Sequence, residues 1–102
     1  MEAVGKGTQL KINVRAEHLG GVTLSECEFT CTFYVLSNKT ILVEKADMIK
    51  LDDNNYVALV DTDNLNPGEL KMDINLRVPD GDFPSGYRTE IERGICTKIK
   101  IY

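Results

Sequence analysis

Few residues in this chain could do chemistry, and they are scattered. Two loops carry Asp-x-Asp pairs, Asp61 with Asp63 and Asp80 with Asp82. A hard cation such as calcium needs several converging oxygens. Leu65 stands where a third ligand would have to be in the first loop, and no glutamate closes either loop at calcium-site spacing. The pairs therefore read as turn caps, in which an aspartate bonds its own backbone. His18 is the only histidine. A general base needs a nucleophile in reach and a third group to orient it. His18 lies beside the Gly20–Gly21 pair with no such partner implied, so it reads as a surface residue.

The cysteines are Cys27, Cys31 and Cys96. Cys27 and Cys31 fall on one predicted strand with Phe29 and Phe33, on the same face and about 13 Å apart. That is too far for a mutual disulfide. They read as small buried hydrophobes, since a reactive thiolate would need positive charge nearby and a zinc site would need more ligands at short spacing. The odd count points to reduced thiols. The opening MEAVGKGTQLKI has no basic head before an apolar stretch, so a cytosolic site of synthesis is expected.

The segment PDGDFPSGYRTE, from Pro79 to Glu90, holds the remaining candidates. Arg88 and Glu90 could bind a ligand or could form an ion pair that anchors the loop, and the structural role is favoured. Phe83 is an apolar residue among turn formers. It could be an anchor for a partner or could fold back over the end of the core. Asp80, Asp82, Phe83 and Arg88 are thus the candidate interaction residues. No catalytic residue, metal or cofactor is expected. Tyr34, Tyr87 and Tyr102 could make a sugar platform, but their spacing does not bring them together.

The net charge is −4 with acids and bases interspersed, unlike the clustered Lys and Arg of a nucleic-acid footprint. No apolar run approaches the roughly 18 residues of a membrane span. The 102 residues suit one domain, read as a flexible stretch at 1–7 followed by a domain at 8–102. Trp is absent, so Ile, Leu, Val and Phe must fill the core.

What positions the loops is a set of strands. In Glu69–Val78, Leu70, Met72, Ile74, Leu76 and Val78 alternate with polar residues, the period-two mark of a strand with one buried face. Turn residues bound it at Asn66–Gly68 and Pro79–Gly86, so it reads as the central strand. Thr8–Ala16 alternates likewise. Glu17–Glu26 reads as a loop whose Leu19, Val22 and Leu24 plug the core end. Cys27–Leu36 is a second long strand, with Ser37–Asn38 turning the chain and Thr40–Glu44 pairing back as a hairpin. Ala46–Leu51 could be a strand or one helical turn. Tyr56–Val60 is apolar on both faces, which predicts an interior strand covered on both sides. Tyr87–Glu92 and Gly94–Tyr102 read as two closing strands. The expected core holds Leu10, Ile12, Val14, Phe29, Phe33, Val35, Val60, Leu70, Met72, Ile74, Leu76 and Ile99. About seven short strands with frequent turns predict an all-β, immunoglobulin-like antiparallel sandwich. Its expected edges are Thr8–Ala16 and Thr40–Glu44.

The stretch LDDNNYVALVDTDNLNPGELKMDINLRVPDGDFPSGYRTEI resembles small virion-associated proteins of tailed phages and prophages of gut Bacteroides-type bacteria. In plan it is similar to the immunoglobulin-like N-terminal module of phage baseplate upper proteins. The resemblance runs from about Gly7 to Ile91. Pro67–Gly68 matches the turn that introduces the long strand there, and CEFTCTFYV with its Lys-containing turn fits the same plan. It implies an attachment or assembly piece with no active site to carry over. The expectation is a non-enzymatic virion component in tail, baseplate or head, partnered by other virion proteins or by itself. The alternative is a bacterial binding module for carbohydrate or a cell-surface partner.

Overall fold

The computed structural model describes residues 1–17, 19–36 and 39–102. His18 and the Ser37–Asn38 turn, both singled out above, lie outside the described residues. The strands are β1 (Glu2–Val4), β2 (Gln9–Val14), β3 (Glu28–Tyr34), β4 (Thr40–Glu44), β5 (Ile49–Asp52), β6 (Asn55–Asp61), β7 (Gly68–Pro79) and β8 (Tyr87–Ile101). Five form one sheet in the order β1-β8-β7-β3-β4, and three form a second in the order β2-β6-β5. The chain is an all-β sandwich, with the core between the sheets.

β7 is the central element. Its 12 residues reach about 40 Å at the usual rise per residue, nearly the 45 Å longest dimension of the molecule. Leu70, Met72, Ile74, Leu76 and Val78 are all buried, as the alternation predicts. β3 flanks it in register from Phe29 opposite Leu76 to Phe33 opposite Met72. The start of β7 is set by glycine. Gly68 has φ +134°, and a Cβ there would lie 2.6 Å from Val35 Cγ1. A side chain is thus excluded on both conformational and steric grounds.

Besides the short link from β1 to β2, three connections cross between the sheets, β2 to β3, β4 to β5 and β6 to β7. Each carries one turn of 3-10 helix, at Leu24–Glu26, Lys45–Asp47 and Thr62–Asn64. These corners seal the core ends. Leu24 and Leu65 are buried, as is Leu19, and Val22 packs against the core more loosely. Lys45 ties two corners together: its Nζ donates to the carbonyls of Ser25 and Cys27, both at 2.8 Å. Buried Thr62 donates to the Thr8 carbonyl at 2.7 Å and accepts from Gly7 N–H at 2.9 Å. That satisfies a buried hydroxyl and fixes the entry to β2. Of the expected core, all are buried except Leu10, Val35 and Ile99, which pack against it partly exposed.

Three features depart from the sequence reading, and one open alternative resolves. Glu2–Val4, within the stretch expected to fray, forms a strand parallel to the end of β8, from Glu2 opposite Ile99 to Val4 opposite Ile101. That pairing is the exception to an otherwise antiparallel sandwich. β6 is the interior strand of its sheet, yet it is covered on one face only: Tyr56, Ala58 and Val60 are buried, while Leu59 is 51% exposed. Ala46–Leu51 resolves into both alternatives, a 3-10 turn and then β5. Finally, the two predicted closing strands are one, β8, continuous along β7 with two register shifts. Gly94 and Lys98 adopt positive φ there. Such bulges insert residues and kink a strand without ending it.

Candidate interaction site

The four candidate residues sit on the hairpin joining β7 to β8. The register brings Pro79 opposite Tyr87 and Val78 opposite Arg88. Asp80 is the hub of the turn. Its N–H donates to the Gly86 carbonyl at 2.9 Å, and its Oδ1 accepts from Asp82 N–H at 3.0 Å. The loop closes further through Gly86 N–H to the Phe83 carbonyl at 2.9 Å, and Ser85 Oγ donates to the Tyr87 carbonyl at 3.0 Å.

The second carboxylate oxygen of Asp80 points across the hairpin. Oδ2 accepts from Arg88 Nη1 at 3.1 Å, and Arg88 Nε donates to Glu90 Oε1 at 3.2 Å. The three side chains are partly sheltered, at 24% exposed for Arg88, 21% for Asp80 and 29% for Glu90. The hydrogen bond to Glu90, with that to Asp80, outweighs desolvation and holds the guanidinium pKa above its ordinary value. Gly20 covers the far side of the guanidinium, where a side-chain carbon would sit 3.9 Å from Nη2.

The structure thus divides the candidates into two pairs. Asp80 and Arg88 face each other and stiffen the loop. Asp82 and Phe83 stand at its tip, both exposed, with Phe83 at 48%. Phe83 is therefore not folded back as core. Sequence spacing pointed to an Arg88–Glu90 pair, and that pair exists. The Asp80 contact depends on hairpin register and had no signal of its own.

The other groups resolve one by one. Asp61 accepts from Asp63 N–H at 3.0 Å and Asp52 from Asn54 N–H at 2.8 Å, so the acidic loops share one turn-capping device. Among the described residues no group of three or more His, Cys, Asp or Glu side chains converges. Cys27 and Cys31 are buried and Cys96 exposed, and none forms a disulfide. Burial pushes the Cys31 thiol up to about 12 and raises that of Cys27 as well, which suppresses thiolate chemistry. Tyr34 bonds Asp73 at 2.8 Å, and Tyr87 lies under Arg77 at 4.8 Å. Tyr34 pairs beside Lys71 and Tyr87 beside Pro79, towards opposite ends of β7, so they share no platform.

No protein-family model, curated protein or solved structure matches this chain.

Proposed function

We propose that this chain is a non-enzymatic assembly module and a structural component of a phage or prophage virion, in tail, baseplate or head. The observation that carries the assembly reading is the β7–β8 hairpin. An exposed aromatic, Phe83, rides on a turn whose backbone and side-chain bonds are already made. A pre-ordered loop loses little conformational entropy on docking, and aromatic side chains are favoured as interface anchors. The Asp80–Arg88–Glu90 cluster serves this reading as scaffold, since its charges pair with one another. The resemblance of Leu51–Ile91 to virion-associated proteins supports the particle as the setting. The partners are then other virion proteins or further copies of the chain, and the chain passes from the bacterial cytoplasm into the particle. The test is mass spectrometry of particles banded on a density gradient from a host that encodes the chain. The chain should follow the major capsid protein at constant ratio across the band. Its absence from banded particles overturns the virion reading.

A further inference from the structure

The open edges of the two sheets are not equivalent. An unpaired edge invites another strand unless charge, a bulge, proline or shortness blocks it. β2 carries Lys11 at mid-strand. β5 is interrupted by a register shift at Leu51 and carries Lys50. β1 is three residues long. The part of β8 beyond the reach of β1 is guarded twice. It bulges about Gly94 and Lys98, and Arg88, Glu90 and Glu92 turn partly inward. Inward charges are themselves an edge block. β4 is the exception among these edges. It lies outermost in the larger sheet and pairs with β3 alone, without a break, from Thr40 opposite Tyr34 to Glu44 opposite Thr30. Its sequence, TILVE, has no basic residue, proline or glycine. Leu42 stands 61% exposed on its outer face, and Val43 is buried on its inner face.

We infer that β4 pairs antiparallel with β4 of a second copy, about a two-fold axis through Leu42. Opposed residues of an antiparallel pair share a face, so the axis must pass through a residue. Centred on Leu42, all five positions pair. Leu42 meets Leu42, Ile41 meets Val43, and Thr40 meets Glu44. The two carboxylates lie at opposite ends, each against a threonine, so no like charges oppose. An axis through Ile41 or Val43 shortens the overlap, and the latter sets Glu44 against Leu42. The two-fold is closed: each copy uses up its unguarded edge, and the larger sheets of the two copies become one. This deepens the assembly reading above, on which it rests, by naming the partner at this edge as a second copy.

Light scattering after size exclusion, from micromolar to millimolar loading, tests it. The wild-type mass should rise toward two chains. Leu42→Lys should hold it at one chain, with the circular dichroism and melting temperature of the wild-type monomer. Thr40→Lys, set against Glu44 of the other copy twice over, should tighten the dimer by about threefold to tenfold, and Thr40→Glu should weaken it by a similar factor, the scale of two exposed ion pairs. Three results would overturn the pairing: a one-chain mass at every loading, a dimer indifferent to Leu42→Lys, or a dimer on which the two Thr40 substitutions act alike. A monomer that nevertheless bands with particles overturns this pairing and leaves the virion reading standing. A dimer absent from particles does the reverse.

Discussion

Arg88 Nη1 meets Asp80 Oδ2 at 3.1 Å across the neck of the β7–β8 hairpin, while the other oxygen of Asp80 caps the turn that carries Phe83. One carboxylate therefore joins the loop tip to the body of the sheet. Asp80→Asn keeps the cap and loses the ion pair. It should cost about 0.5–1 kcal/mol, the upper part of the range for surface ion pairs, since both side chains are partly sheltered. Arg88→Ala also leaves two acids facing each other and should cost more. A double-mutant cycle by urea unfolding measures the coupling, and a coupling near zero would mean the pair does not stiffen the loop.

Gly68→Ala should destabilise by about 1–3 kcal/mol, because alanine resists the positive φ and its Cβ would strike Val35. Adding Val35→Ala should recover the steric part and not the backbone part. Denaturant midpoints of the single and double variants separate the two contributions.

Phe33→Ala and Ile74→Ala each remove a side chain with no exposure and should cost about 2–5 kcal/mol. Losses under about half a unit at both, far below the range for core truncations, would mean that the faces of β3 and β7 are reversed.

A thiol reagent near neutral pH should modify Cys96 quickly in the native chain and all three cysteines after denaturation without reductant. The buried thiols also set a pH dependence. The folded pKa of Cys31 is raised from 9.0 to about 12, so the unfolded chain loses that proton first. The stability is whole below about pH 9 and declines as pH rises from there toward about 12. Cys31→Ala should flatten this alkaline decline in urea titrations, apart from its cavity cost, and an unchanged slope would count against a buried Cys31.

Much of this fold is legible in the sequence because burial is one-sided. The alternation in β2, β3 and β7 reports faces directly, and the turn residues at Asn66–Gly68 and Pro79–Gly86 report ends. The misses have physical causes. β8 reads as two strands because Arg93–Gly94 interrupts the alternation, yet β7 is long enough to pair with it on both sides of the bulge at Gly94. Val57 and Leu59 read as buried because they are apolar, but Val57 is only half-buried and Leu59 is exposed. Glu2–Val4 is too short to show a period, and its pairing comes from the far end of the chain. In the loop, the Asp-x-Asp pattern signals its turn caps locally. The Asp80–Arg88 contact needs the register of the whole hairpin.

Phe83 is the anchor of the proposed interface, and the decisive measurement is incorporation of Phe83→Ala into particles. The variant and the wild-type chain would be expressed in turn in a host lacking the native copy, and their amounts in banded particles compared beside their melting temperatures. Phe83 is 48% exposed, so truncation should leave the melting temperature within about 2 °C, as surface substitutions usually do, while incorporation falls at least about tenfold, the effect of losing one anchor side chain. Full incorporation with an unchanged melting temperature would contradict the account, and a large fall in melting temperature would place Phe83 in the core instead.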